Sequence, residues 1–210
     1  MPLFKTISLA EGIIGIWQIN ETVSDLSVYF SPEELTNPEL RKYTFEKRKV
    51  EWLVTRLLIR HLVGTDFKLT YLQTGKPVLL HEIYKHISIT HSKDFVAVFV
   101  HKKEETGIDI ESVNRDFGKV EKRYMSDDEL RETKGNQTLQ CLYWCAKEAI
   151  FKLVKEDGIE FRQQIHITPF NHLEESQFSA RFIAGKKDTT FQLYFLAFSD
   201  QMMVWVSDSE

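Results

Sequence analysis

Cysteine is scarce in this chain: 210 residues contain two. Cys141 and Cys145 lie four positions apart, which makes them neighbours on one helix face, and a single pair cannot build a disulfide framework. Both are expected to be ordinary buried thiols in a reducing compartment. Glycine and proline are also few, nine and five, so the composition is not that of a disordered or linker-rich chain. No apolar run approaches the ~20 residues that cross a bilayer. The stretch from Met1 to Ile19 carries Lys5 as its only basic residue and has Glu11 inside its apolar part, which makes a poor secretory signal. No membrane partner is expected, and the cytoplasm is the expected location. A surplus of positive charge is missing too. A net charge of −4 disfavours broad nucleic-acid binding, which is driven by clustered Lys and Arg. There is no Walker-type glycine loop, which argues against a nucleotide hydrolase. His81, His86, His91 and His101 form no recognised zinc spacing.

What is present is a folded composition. With 42% hydrophobic and 28% charged residues, the chain can bury the core of one large domain or of two small halves. Ile13–Ile19 reads as a buried strand, Ile87–His91 as an alternating half-buried strand, and Phe95–Val100 as a fully buried one. Ser31-Pro32-Glu33-Glu34 has the grammar of a helix start, with Ser as cap and Pro first in the helix. A longer helix is expected from Asn37-Pro38 to about Val63, with Leu53, Leu57, Leu58 and Leu62 at helical spacing and Gly64 as terminator. Gly75-Lys76-Pro77 marks a turn after a strand over 68–73. Ser126-Asp127-Asp128-Glu129 is a second capping box, and a helix from about Asn136 to Lys155 carries Leu139, Leu142, Tyr143, Ala146, Ile150 and Leu153 on one stripe. Strands return near 165–167, 178–183, 191–198 and 202–206. An α+β fold follows, with the turn at Lys102 to Thr106 dividing it into halves 1–104 and 105–210.

Several residues carry chemistry only in combination. Asp109 and Glu111, two apart on a strand, project to one face, which leaves Ile108 and Ile110 for the core. Like charges side by side cost stability unless a cation or donor offsets them, and Mg²⁺ takes such oxygen ligands together with substrate phosphates. Alone, the pair reads more readily as the wet face of an amphipathic strand. Glu148 and Lys152, four apart on a helix, read alone as a surface ion pair. Trp144 reads as a packing anchor, and the basic residues of the long helix, Lys47, Arg48 and Arg56 among them, as a solvated face.

In order, however, Gly75-Lys76-Pro77, Ser88-Ile89-Thr90-His91-Ser92, Gly107-Ile108-Asp109-Ile110-Glu111 and Trp144-Cys145-Ala146-Lys147-Glu148-Ala149-Ile150-Phe151-Lys152 resemble the 4′-phosphopantetheinyl transferase superfamily, in its long, surfactin-synthetase-activating (Sfp-like) type. The resemblance implies a pseudo-dimer of two similar α+β halves with the active site in the cleft between them. It implies an enzyme, a holo-acyl-carrier-protein synthase that moves the phosphopantetheine arm of coenzyme A to a serine of an apo acyl or peptidyl carrier protein and releases adenosine 3′,5′-bisphosphate. Asp109, Glu111 and Glu148 are then expected to hold Mg²⁺, with Glu148 also the base. Lys147 and Lys152 are expected to face the phosphates. Lys76, Thr90 and His91 are expected along coenzyme A, with His91 near its 3′-phosphate, and Lys47, Arg48 and Arg56 are expected to help bind that 3′-phosphate. Cys145 stands where the family commonly has Ser or Thr, and Thr90 where it has Ser. The other reading is a non-catalytic coenzyme A or carrier-protein binding module on the same scaffold. A two-half chain needs no second copy, so a monomer is expected.

Overall fold

The computed structural model describes residues 3–154, 156 and 158–208. They form a mixed α+β structure in two compact units, 1–102 and 103–210, each with its own core.

The first unit begins with strands β1 (Leu3–Ser8) and β2 (Gly12–Gln18). Helices α1 (Val23–Ser27), α2 (Pro32–Leu35), α3 (Pro38–Lys42) and α4 (Glu46–Val63) follow, then strands β3 (Lys68–Tyr71), β4 (Pro77–Leu80), β5 (His86–His91) and β6 (Phe95–His101). The strands make an antiparallel sheet in the order β1-β2-β6-β5, and β3 and β4 pair as a separate hairpin. Ser31 and Glu34 close the reciprocal cap expected at α2, each side chain taking the other's backbone N–H. α4 lays Val50, Leu53, Val54, Leu57 and Leu58 into one apolar cluster with Trp17, Ile87, Val96, Val98 and Val100 of the sheet.

The long helix expected from Asn37 to Val63 is interrupted. Tyr43 (ψ 120°) and Phe45 (ψ 131°) are extended and separate α3 from α4. The physical reason lies across the break, where the Arg56 guanidinium bonds the Glu39 carboxylate at 3.0 Å and sits 3.3 Å from the Trp52 ring centroid. In one continuous helix these residues would be about 25 Å apart along the axis. Tertiary pairing therefore outweighs the local helical preference.

The second unit runs β7 (Thr106–Ser112), a single 3₁₀ turn at Phe117–Lys119, α5 (Glu121–Tyr124), α6 (Asp127–Glu132), α7 (Gln137–Leu153), α8 (Phe161–Gln164), β8 (Ile165–Ile167), β9 (Gln177–Ala184), β10 (Lys187–Phe198) and β11 (Gln201–Ser207). Its five strands form an antiparallel sheet ordered β7-β11-β10-β9-β8. The cap of α6 (Ser126 with Glu129) stands where the sequence places it, and α7 begins beside the expected Asn136, whose side chain caps it; Lys155, the expected end of α7, lies outside the described residues. α7 covers one face of the sheet, and the apolar cluster there joins Cys145, Ala146, Ala149 and Ile150 to Val204 and Val206 of β11.

Gly107 sets how closely β7 and α7 approach. A Cβ built on it would lie 1.8 Å from the Ala149 carbonyl oxygen, so only glycine permits this contact. Because side chains alternate along a strand, Asp109 and Glu111 share the α7-facing side with Gly107. Val204, paired with Asp109, and Val206, paired with Gly107, lie on that side too. The carboxylates thus point toward the helix, not onto a wet face. Ile108 and Ile110 lie on the opposite side of the sheet, also buried, and outside the unit's main apolar cluster.

Candidate functional site

The approach enforced at Gly107 brings Lys152 of α7 onto β7. Its ammonium donates to Asp109 Oδ1 at 2.7 Å and to the Ile108 carbonyl at 2.9 Å. Glu148, one turn earlier on the same helix face, lies in the same electrostatic neighbourhood. Its carboxyl is pushed up to about 7, chiefly by burial and then by the negative charge of Asp109, with Lys152 opposing and Glu111 adding to the rise. Glu111 is raised as well, again chiefly by burial, against the lowering pull of Arg115. The source of the imbalance is plain. Lys152 is taken by Asp109 and Arg115 by Glu111, so the third carboxylate has no ion-pair partner of its own among the described residues.

Arg115 is the member the sequence reading missed. The turn that carries it is stapled by Asp200, which accepts from Ser112 Oγ at 2.7 Å and Asn114 Nδ2 at 3.0 Å, and Arg115 N–H donates to the Ser112 carbonyl at 3.1 Å. Its guanidinium lies 4.6 Å from the Trp144 ring centroid and pairs with Glu111. Trp144 is also met edge-on by Tyr124 at 5.1 Å, so it packs, as expected, and serves as a platform for the arginine. The only sequence signal for Arg115 was its position four residues after Glu111, which does not imply contact once a strand has ended.

Lys147 requires a correction. Neighbouring residues on a helix point about 100° apart, so Lys147 cannot share the face of Glu148 and Lys152. It is fully buried, and its ammonium donates to Glu129 Oε2 at 2.7 Å, to the Ile165 carbonyl at 2.6 Å and to the Phe161 carbonyl at 3.3 Å. Glu129 in turn accepts from the Ile167 and Ser126 backbone N–H groups. Lys147 ties α7 to α6 and β8. No phosphate-facing donor remains on it.

The two cysteines sit beneath the carboxylates. Cys141 Sγ reaches the Glu111 carbonyl at 3.6 Å, and Cys145 Sγ reaches that of Met202 at 3.5 Å. Burial pushes the Cys145 thiol well up, with Cys141 adding to the rise, so it is a neutral packing group.

Of the residues expected to contact coenzyme A from the first unit, three converge. Arg48 Nη1 donates to Glu51 Oε2 at 2.9 Å and lies 3.0 Å from His91 Nε2, while Lys47 Nζ is 3.7 Å from Glu51 Oε1. Arginine is a donor only, so His91 Nε2 is the acceptor here. Arg56 does not join them, being buried between Trp52 and Glu39. Thr90 neighbours His91 on β5 and therefore faces the opposite side of the sheet, where it is buried. Lys76 is half-buried at the end of the β3–β4 turn, where Gly75 takes a positive φ of 84°.

The second unit's donor set suits a small hard cation by chemistry, since every ligand is a carboxylate oxygen and Mg²⁺ needs only one or two of these beside phosphates and water. Among the described residues, however, no group of three or more His, Cys, Asp or Glu side chains is arranged to enclose a metal ion. No described helix is long and apolar enough to cross a membrane.

Residues 105–201 match the family model for the 4′-phosphopantetheinyl transferase superfamily. The matched segment holds β7 and α7, and with them Asp109, Glu111, Lys147, Glu148 and Lys152; the Gly75-Lys76-Pro77 and His91 motifs lie outside it. The resemblance to the superfamily read from the sequence is thus borne out over residues 105–201. No curated protein matches the chain.

Proposed function

We propose that this chain is a Mg²⁺-dependent 4′-phosphopantetheinyl transferase that moves the phosphopantetheine group of coenzyme A to a serine of an apo acyl or peptidyl carrier protein. The observation that carries the reading is Glu148 set beside the Asp109–Lys152 pair, in a segment with the family's sequence character. In this reading the serine oxygen forms a bond to the phosphorus bearing the pantetheine arm. The phosphoanhydride bond breaks, adenosine 3′,5′-bisphosphate leaves, and the serine proton passes to a base. Glu148 is that base, because a half-buried carboxyl held near neutrality both accepts and releases a proton readily.

Asp109, Glu111 and Glu148 would hold Mg²⁺, which when bound supplies positive charge against the pyrophosphate oxygens. Lys152, anchored between Asp109 and the Ile108 carbonyl, faces the same phosphates and keeps its ammonium fixed before substrate arrives. The half 1–104 is assigned the coenzyme A contacts, through Lys47, Arg48 and His91. The half 105–210 is assigned the carboxylates. The long, Sfp-like pseudo-dimer type is supported by one antiparallel sheet and one long helix, α4 or α7, in each unit. The enzyme is read as a cytoplasmic monomer.

The test is incubation with coenzyme A, Mg²⁺ and a panel of apo carrier proteins, read by mass spectrometry. Wild type adds one phosphopantetheine to at least one carrier. Glu148→Gln is expected to slow this by about 10²-fold or more. Rates within threefold of wild type would remove Glu148 from the chemistry. Coenzyme A binding without transfer to any carrier would favour the non-catalytic module.

A further inference from the structure

Arg115 is held in place by contacts that do not involve the carboxylate it pairs with. Asp200 accepts from Ser112 Oγ, from Asn114 Nδ2 and, at 2.6 Å, from Gln201 Nε2, so the turn that leads to Arg115 hangs on one carboxylate with three donors. The guanidinium then lies 4.6 Å from the Trp144 ring centroid and 5.5 Å from that of Phe117. Tyr124 and Phe161 brace the indole from other sides. An arginine stacked on aromatic rings keeps its charge at one spot with little loss of freedom. That spot is beside Glu111.

The result is a particular charge balance. Asp109, Glu111 and Glu148, when ionised, bring three negative charges, and Lys152 and Arg115 bring two positive ones. Three bare carboxylates would draw a divalent cation strongly, because the affinity of an oxygen site follows its ligand charge count. With two cations resident, one negative charge is left over, and a dication turns the balance positive. Such a cluster takes a metal weakly by itself and better together with an anion that neutralises the new surplus. Arg115 makes no second ion pair among the described residues, so its charge is committed to this cluster.

We propose that Arg115 is a positioning residue that acts through Glu111: as a resident counter-cation it holds the free chain's affinity for Mg²⁺ low and makes metal uptake depend on the diphosphate of coenzyme A. The inference rests on the transferase reading above for the metal and the ligand, and on the second unit's geometry for the role of Arg115.

The experiment titrates Mn²⁺, which takes the same oxygen ligands as Mg²⁺, into wild type, Arg115→Met and Arg115→Lys. Binding is read as loss of the free-ion electron paramagnetic resonance signal, without coenzyme A and with it in excess, against a blank of coenzyme A and Mn²⁺ in buffer. Wild type should bind Mn²⁺ weakly alone and about tenfold or more tightly with coenzyme A. Arg115→Met, which keeps an apolar stem over Trp144, should bind Mn²⁺ alone about tenfold more tightly than wild type, the scale of one hydrogen bond to a charged group, and gain less from coenzyme A. Arg115→Lys, which restores the charge, should return toward wild type. A merely structural role predicts the opposite sign, since a disordered site binds metal less well. Weaker or unchanged binding in Arg115→Met therefore overturns the proposal, as does an Arg115→Lys variant that binds as tightly as Arg115→Met. Wild type whose Mn²⁺ affinity ignores coenzyme A, or no binding to any of these proteins, also overturns it. Tighter binding in Arg115→Met, with a wild type that modifies no apo carrier, leaves the role of Arg115 standing and refutes the transferase reading instead. Far-UV circular dichroism of each variant confirms that the fold is retained.

Discussion

Glu148 makes one quantitative prediction that does not depend on catalysis. Its carboxyl is raised from the ordinary 4.5 to about 7 in the folded chain, first by burial and then by Asp109. A group whose folded pKa lies above its unfolded one holds its proton longer in the native state, so stability falls as pH rises. Below about pH 4.5 both states are protonated and Glu148 costs nothing; above about pH 7 the cost is at its maximum. The shift corresponds to about 3 kcal/mol at pH 8 and under about 1 kcal/mol at pH 5. Glu148→Gln removes the titration while keeping the shape. Urea unfolding in metal-free buffer should therefore find the variant more stable than wild type by about 3 kcal/mol at pH 8, with the advantage shrinking toward pH 5. A difference independent of pH, or a variant less stable than wild type at pH 8, would refute the claim that this carboxylate lacks charge compensation.

Three further outcomes test the framework around it. Gly107→Ala places a Cβ against the Ala149 carbonyl and should cost about 3 kcal/mol or more, read as a lowered urea midpoint, with transfer lost because α7 is displaced from β7. Lys147→Met strands a buried Glu129 carboxylate and should cost about 3–5 kcal/mol; pairing it with Glu129→Gln should recover part of that loss in a double-mutant cycle. Asp109→Asn should weaken coenzyme A binding more in Mg²⁺ than in EDTA, where only the anchoring of Lys152 is lost, both by calorimetry. Equal weakening in the two buffers would remove Asp109 from the metal site.

The Ser31 and Ser126 capping boxes and the stripe of α7 were legible in the sequence because caps and amphipathic stripes are local: each depends on residues three or four apart. The Asp109/Glu111 and Glu148/Lys152 pairs were legible for the same reason, being spaced for one strand face and one helix face. The break between α3 and α4 was not, since it is set by Arg56 closing on Glu39, 17 residues away. Nor was the fate of Lys147. In sequence it adjoins Glu148, but the helical turn sends it into the core, where its partner Glu129 comes from a different helix.

The sequence by itself determined which carboxylates and lysines are available to the second unit's site, because motif spacing fixes the face on which each residue lies. Only the tertiary structure decided which cations reach them. Lys152 was kept by the strand–helix contact that Gly107 permits, and Arg115 was added by a turn held through Asp200. Lys147 was diverted to the buried Glu129 carboxylate and Arg56 to the half-exposed Glu39. An ion pair forms wherever packing brings opposite charges within a few ångströms, and no local pattern encodes that distance.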